Sequence, residues 1–113
     1  MSMTTKFWDE AAETMSRADI ERRQLADLKA TVGRALTTPF YKPRLEGVGI
    51  KNPDDIRTLD DLRRIPYTTK DDLRKAYPYG MIASDRRDIV RMHASSGTTG
   101  VPTVIYLTQK DVD

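Results

Sequence analysis

The nine residues Ser95–Thr103 read Ser-Ser-Gly-Thr-Thr-Gly-Val-Pro-Thr and lie between two runs of β-forming residues. The first run is Ile89–Ala94 and the second is Val104–Thr108, and both contain β-branched and large apolar side chains. A connection of nine residues is too long for a two-residue hairpin turn. The sequence therefore predicts strand, loop and strand in the last third of the chain.

The composition of the loop favours an anion as its ligand. Two Ser and three Thr supply short hydroxyl donors, and two Gly allow close backbone approach and positive φ. Consecutive backbone amides in such a turn form a concave site for anions. No Lys-Ser/Thr pair follows the second Gly, and a strand is predicted next, so a Walker A loop is excluded. A phosphate-binding loop is indicated, and an ordinary surface turn of the same composition is the alternative.

Alternation along the first run predicts which side chains share a face of the strand. Val90, Met92 and Ala94 are expected on one face, and Ile89, Arg91 and His93 on the other. His93 adjoins the loop, but a single strand histidine is more often structural or solvent-facing than catalytic.

The longest helix is predicted near residues 17–37. Ser16 and Asp19 give a helix-start signal, because a Ser hydroxyl and an Asp carboxylate can bind the free amides of a first turn. Apolar residues then recur at helical spacing: Leu25, Leu28, Val32, Ala35 and Leu36.

Short helices joined by tight turns are predicted over the middle of the chain. One element opens at Pro39 and ends near Gly47 or Gly49, where glycine suits a left-handed helix end. Further elements end at Pro66 and before Pro78. Helix-start signals occur at Asn52, Thr58, Thr69 and Thr108.

Composition excludes several classes of function. The 113 residues carry 19 Lys and Arg against 17 Asp and Glu, interleaved rather than clustered, so no nucleic-acid partner is expected. The absence of cysteine and the single histidine exclude thiolate and histidine metal clusters within the chain. No apolar leader or membrane-length segment is visible, so we expect a soluble cytoplasmic protein without a membrane partner.

The order of residues in the loop resembles the phosphate loop of the acyl-adenylate-forming (AMP-binding) superfamily. Neighbouring segments are similar to the phenylacetate–CoA ligase family within it, and the resemblance runs from about Phe7 to the last residue. The segments that carry it are Pro39–Tyr41, Ile65–Arg74, Tyr77–Gly80 and Arg91–Ala94.

The resemblance implies an α/β fold. The chain is then the N-terminal portion of the large AMP-binding domain of an acyl-CoA synthetase-like enzyme, mostly α with a short β part. Residues 1–80 are expected to be mainly helical, and residues 81–113 to form strand, phosphate loop and strand.

The resemblance also implies a reaction and a set of binding residues. Such enzymes join an aryl acid to coenzyme A with ATP, Mg²⁺ and release of AMP and pyrophosphate, and the complete enzyme is expected to be a homodimer. Hydroxyls of Ser95, Ser96, Thr98 and Thr99 and the backbone at Gly97 and Gly100 would hold the phosphates, with Thr103 at the edge of the loop. No catalytic residue or metal ligand is placed in this chain, and Mg²⁺ and coenzyme A would be bound mainly elsewhere in the enzyme.

Several points stay open. Val101 stands where many members have Lys, which should weaken the electrostatic grip on phosphate. The acid could be phenylacetate, another aryl or indole acid, or a flavin-type cofactor. A truncated, non-catalytic anion- or nucleotide-binding remnant and a small helical interaction module are the alternative functions.

Overall fold

The computed structural model of the chain describes residues 6–95 and 102–113. It contains two strands, Ile89–Ala94 (β1) and Val104–Thr108 (β2), which pair as one antiparallel sheet. Three short 3-10 helices span Pro53–Asp55, Leu59–Arg64 and Arg86–Asp88. The α-helices are Glu10–Glu13 (α1), Arg17–Ala35 (α2), Tyr41–Glu46 (α3), Lys70–Ala76 (α4) and Gln109–Val112 (α5).

Helix α2 confirms the predicted long helix and ends two residues before the predicted boundary at 37. The Ser16 hydroxyl accepts a hydrogen bond from the Asp19 amide at 3.1 Å, as the start signal predicts. Exposed pairs such as Arg17–Glu21, at 3.2 Å, line the outer face of the helix. Because exposed ion pairs contribute little, the inward apolar face holds α2 in place.

The hydrophobic core joins α2 to α3 and to the segment after α3. Val32, Leu45, Ile50 and Ile56 are almost completely buried. Full burial of such a side chain stabilises the fold by about 1.5–3 kcal/mol. Partly buried residues pack around these four: Leu25, Leu28, Ala35, Leu36, Tyr41 and Ile65.

The connection from α2 to α3 depends on a buried threonine. Thr38 is 1% exposed, and its hydroxyl donates to the Ala35 carbonyl at 2.7 Å. The same hydroxyl accepts from the Tyr41 amide at 3.0 Å, where α3 begins. Thr38 therefore satisfies its own polar atom and fixes the turn that places α3 on the core.

The turn after α3 needs glycine at position 49, as predicted for one of the two candidate glycines. Gly49 has φ of 82°, which side-chain-bearing residues rarely adopt. Arg64 closes this turn from the other side, because its guanidinium donates to the Val48 carbonyl at 2.8 Å. A Cβ on Gly49 would lie 3.2 Å from the Arg64 Nη2 atom, so the turn has little room for a side chain.

Four helical elements of the described residues start with a capping box, as the sequence signals predict. In each, an aspartate three residues inside the element accepts hydrogen bonds from backbone amides at its start. Asp61, for example, accepts from the amides of Arg57 and Thr58 at 2.8 and 3.0 Å. These amide donors are the largest cause that lowers the pKa of each capping carboxyl. The four are Asp55, Asp61, Asp72 and Asp111.

The aromatic residues differ in how far they are packed. Phe40 and Tyr41 stack edge to face with ring centroids 4.8 Å apart. Trp8, however, is 100% exposed and Tyr67 is 94% exposed. Nothing in the described part of the chain covers these two side chains.

In the described part of the chain, no helix combines the length and the apolar character that crossing a membrane requires.

The capping aspartates predict acid sensitivity. A folded-state pKa below the unfolded value of about 3.9 stabilises the fold above that pH. This contribution is lost as pH falls through the lower folded pKa. We expect the midpoint urea concentration for unfolding to decrease once the pH is below about 4. The decrease should be smaller in the variant Asp61→Asn. The matched control is Asp60→Asn, whose carboxylate faces the exposed Arg63 at 3.9 Å. An equal acid response in the two variants would contradict this role for Asp61.

The exposed apolar side chains predict weak self-association. Trp8 and Tyr67 are almost fully exposed, and Met92 on β1 is 58% exposed. Sedimentation velocity at several concentrations should show a rising average sedimentation coefficient. Met92→Lys should reduce the rise, whereas Gln24→Lys, which adds the same charge to the exposed side of α2, should not. A sedimentation coefficient independent of concentration would exclude association.

Candidate functional site

The predicted loop leaves the sheet at a closed neck. Pairing of β1 with β2 ends at Ala94 opposite Val104, and the next residues, Ser95 and Thr103, continue the contact. The Ser95 amide donates to the Thr103 carbonyl at 2.9 Å, and the Thr103 amide donates to the Ser95 hydroxyl at 3.3 Å. The hydroxyls of Ser95 and Thr103 are also hydrogen-bonded to each other. We call this residue pair the neck.

Six of the seven residues between Ser95 and Thr103 lie outside the described residues, and Pro102 is described. The six are Ser96, Gly97, Thr98, Thr99, Gly100 and Val101. Of the seven predicted binding residues, the structure therefore places Ser95 and Thr103, and it brings these two together. The phosphate contacts of all seven stay predictions.

A β-bulge changes the predicted faces of the first strand. Ile89 pairs with Thr108 but Arg91 pairs with Leu107, so one extra residue lies between them on β1. Residues opposite each other in an antiparallel pair share a face. Ile89 therefore lies on the face of Met92, and the prediction that it lies with Arg91 and His93 is wrong.

His93 and Arg91 occupy the other face of the hairpin. His93 pairs with Ile105 and Arg91 pairs with Leu107, and both polar residues are exposed. Neither is buried beside a second titratable group in the described residues. This placement fits the structural or solvent-facing interpretation of His93.

An apolar groove of about 360 Å³ lies between the hairpin and the segment that begins with α4. It runs along the face of the hairpin opposite His93. Its walls include Leu73, Pro78 and Ile82 on the helical side, and Ile89, Val104 and Tyr106 on the hairpin side.

Tyrosines gather at this groove. The rings of Tyr79 and Tyr106 have centroids 6.3 Å apart, and the Arg86 guanidinium carbon lies 4.2 Å from the centroid of Tyr79. Burial raises the pKa of the Tyr106 phenol, and the neighbouring Tyr77 and Tyr79 add to the rise. Tyr106 is neutral at pH 7 and contributes an uncharged side chain to the wall of the groove.

Long-range polar contacts attach the helical side of the groove to α3. The Tyr41 hydroxyl is hydrogen-bonded to the Thr68 hydroxyl at 2.8 Å. The Arg44 guanidinium donates to the Asp72 carboxylate at 3.2 Å, and Asp72 also caps α4. Asp72 thus joins α3 to α4, because its carboxylate caps the start of α4 and also pairs with Arg44 of α3. The sequence signals revealed the cap but not the partner, which lies 28 positions away.

Backbone hydrogen bonds at Gly80 also join the start of α3 to the end of α4. The Phe40 amide donates to the Gly80 carbonyl at 3.0 Å, while the Gly80 amide donates to the Ala76 carbonyl at 2.8 Å. A Cβ on Gly80 would lie 2.8 Å from that carbonyl oxygen, which is closer than real Cβ atoms come. Glycine is therefore required where the chain turns from α4 toward the hairpin.

Metal ligands are not assembled in the part of the chain described here. Residues 6–95 and 102–113 hold no group of three or more His, Asp or Glu side chains that could bind a metal ion. Ser95 and Thr103 are the predicted cofactor-binding residues that the structure describes, and their hydroxyls are hydrogen-bonded to each other.

Comparison with known proteins supports the resemblance. The chain is 44% identical over 105 residues to a phenylacetate–coenzyme A ligase of Aromatoleum evansii, covering 92% of this chain and 24% of that protein. A phenylacetate–coenzyme A ligase of Escherichia coli is 45% identical over 102 residues, covering 89% of this chain and 23% of the relative. The chain spans about a quarter of the length of these curated relatives. No family model matches the chain.

A solved structure extends the similarity to the fold. It is a 2-hydroxyisobutyryl-CoA ligase in complex with 2-HIB-AMP and CoA in the thioesterification state. The TM-score is 0.82 at 30% identity, covering 95% of this chain and 24% of that one. The expected fold class is confirmed, since this mostly helical chain with a short β part matches a segment of a CoA ligase. The resemblance to the phenylacetate–CoA ligase family is likewise confirmed over nearly the whole chain.

Proposed function

We propose that this chain, similar along most of its length to part of the phenylacetate–coenzyme A ligases, contributes the ATP-phosphate-binding loop of an AMP-forming aryl-acid–CoA ligase. The observation that carries the proposal is the neck, which closes a loop of hydroxyl-bearing residues and glycines at the end of a two-stranded sheet. Hydroxyl and amide donors at such a place suit the oxygens of a triphosphate.

The proposed reaction has two steps. In the first, the carboxylate oxygen of the acid bonds to the α-phosphorus of ATP, and the bond to the bridging oxygen breaks so that pyrophosphate leaves. In the second, the thiol of coenzyme A loses its proton and its sulfur bonds to the acyl carbon, and the bond from that carbon to the phosphate oxygen breaks so that AMP leaves. Protein groups serve mainly to position the reactants and to stabilise the charge of the leaving pyrophosphate.

The loop is proposed to hold the β- and γ-phosphates. Ser96, Thr98 and Thr99 would supply hydroxyl donors, and Gly97 and Gly100 would let the backbone amides approach the phosphate oxygens. Ser95 and Thr103 bound this set at the neck. Mg²⁺, which supplies positive charge to the phosphates when bound, and coenzyme A are proposed to be held mainly by parts of such an enzyme outside this chain.

The remaining proposals follow from the family alone. The full enzyme is proposed to be a cytoplasmic homodimer that uses ATP, coenzyme A and an aryl acid. The acid stays open among phenylacetate, a related aryl or indole acid and a flavin-type cofactor, because this chain contains no assigned acid pocket.

A second candidate function is a helical interaction module in which the loop is incidental. It is favoured by one observation: the fully buried residues of the described chain lie between Val32 and Ile56, away from the hairpin. A truncated, non-catalytic phosphate-binding remnant is a third candidate. Nucleotide binding is expected for the ligase and the remnant but not for the helical module. Turnover by the complete protein is expected for the ligase but not for the remnant.

The first prediction from the proposed function concerns ligand selectivity. In a titration of the ¹⁵N-labelled chain, MgATP and pyrophosphate should shift the amide signals of residues 95–101 and 103, and AMP should not. The physical reason is that the loop is proposed to contact the β- and γ-phosphates, which AMP lacks. Equal shifts with AMP, or none with any of the three, would contradict the proposed function and favour the helical module.

The second prediction concerns Val101. Val101→Lys should tighten MgATP binding about 5- to 10-fold at low salt, because a hydrogen-bonded cation beside phosphate adds roughly 1 kcal/mol or more. Added salt should reduce this gain. The matched control Leu62→Lys adds the same charge at a half-exposed position of a 3-10 helix and should leave the affinity nearly unchanged. An equal gain in both variants would indicate a general charge effect instead of a site.

The third prediction concerns turnover. The chain alone should release no pyrophosphate from MgATP and phenylacetate, because it spans about a quarter of the length of the ligases it resembles. A coupled pyrophosphate assay checks this, with an intact phenylacetate–coenzyme A ligase as the positive control. Turnover by the chain itself would refute the prediction.

A further inference from the structure

The two described residues of the loop use their hydroxyls on each other. Ser95 Oγ accepts from the Thr103 amide at 3.3 Å and is also hydrogen-bonded to Thr103 Oγ. The backbone adds a third bond, from the Ser95 amide to the Thr103 carbonyl at 2.9 Å. The two residues are therefore joined by three hydrogen bonds across the open end of the sheet.

This pairing competes with phosphate contact. A hydroxyl has one donor hydrogen and two acceptor lone pairs, and only the donor hydrogen can serve a phosphate oxygen. Because the hydroxyls of Ser95 and Thr103 are hydrogen-bonded to each other, one of their two hydroxyl hydrogens is already donated within the pair. The Ser95 amide is spent as well, on the Thr103 carbonyl. Direct binding by both residues would thus require the neck to open.

We infer that Ser95 and Thr103 are positioning residues, which hold the two ends of the loop at a fixed separation and act on the phosphates through the residues between them. This inference rests on the proposed function and revises the expectation that both residues contact phosphate directly. Seven residues, 96–102, lie between Ser95 and Thr103. In general, holding the two ends of a short segment together lowers the entropy cost of ordering that segment on a ligand.

The register of the sheet supports this role. Pairs from Met92–Tyr106 to Ala94–Val104 follow one another without interruption, and Ser95–Thr103 is the next pair along. The bulge lies at the far end of β1, between Ile89 and Arg91. The regular part of the ladder therefore leads directly into the neck.

The test is a double-mutant cycle on MgATP affinity, measured by amide titration of the whole chain. The variants are Ser95→Ala, Thr103→Val and the double variant. Ser95→Ala should weaken binding about 3- to 10-fold, as expected for loss of a hydrogen-bonded support. The double variant should bind as Ser95→Ala does, because Thr103 Oγ has lost its partner once Ser95 Oγ is removed.

Two further variants separate positioning from a general loss of structure. Thr103→Ser keeps the hydroxyl and should bind MgATP within about twofold of the unmodified chain, since the neck bond is retained. Ser84→Ala removes a hydroxyl from an exposed residue outside the hairpin and should have no effect. Without ligand, backbone amide hydrogen exchange at position 95 should be faster in Ser95→Ala than in the unmodified chain. The chemical shifts of the core amides around Val32 should be unchanged.

The outcomes are distinguishable. If the effects of Ser95→Ala and Thr103→Val multiply in the double variant, the two residues contact phosphate independently and the inference is overturned. Normal binding by both single variants overturns it as well, while the proposed function survives. Failure of the unmodified chain to bind MgATP contradicts the proposed function itself and removes the role of the neck with it.

Discussion

Hydrogen bonding between Ser95 and Thr103 is the interaction on which the functional account depends. The antiparallel ladder of β1 and β2 brings these residues opposite each other, and their side chains then add to the backbone bond. A loop rich in hydroxyls and glycine is common on protein surfaces. What distinguishes this one is that its two ends are held together by a defined set of bonds at the end of a regular sheet.

The helical part of the chain explains how that sheet is positioned. The core around Leu45 and Ile56 orders α2, α3 and the turns between them. From α3, the Tyr41–Thr68 and Arg44–Asp72 contacts reach the segment that begins α4. Beyond α4, an apolar groove lies between this segment and the hairpin. The route from core to neck thus passes through a few polar contacts and one apolar groove rather than through a continuous buried interior.

Local signals in the sequence predicted much of this fold, and non-local ones were missed for physical reasons. Capping boxes such as Thr69 with Asp72 involve residues three positions apart, so the pattern is visible in the sequence. The attachment of Asp72 to Arg44 depends on how two helices pack, which no local pattern encodes. The bulge near Val90 likewise gave no signal, because alternation of residue types does not reveal where one strand carries an extra residue. For the site, the ligand class of the loop stays a prediction from composition, whereas the mutual pairing of Ser95 and Thr103 follows from strand register.

The most direct test of the central claim is paramagnetic relaxation with MnATP, since Mn²⁺ bound to the triphosphate broadens nearby nuclei with a steep distance dependence. The account predicts that signals of residues 95–103 broaden first at low MnATP, while those of the core near Val32 and Leu45 stay sharp. Broadening that is uniform along the chain, or that centres on the exposed acidic helix ends and spares the hairpin, would contradict a phosphate site at the neck.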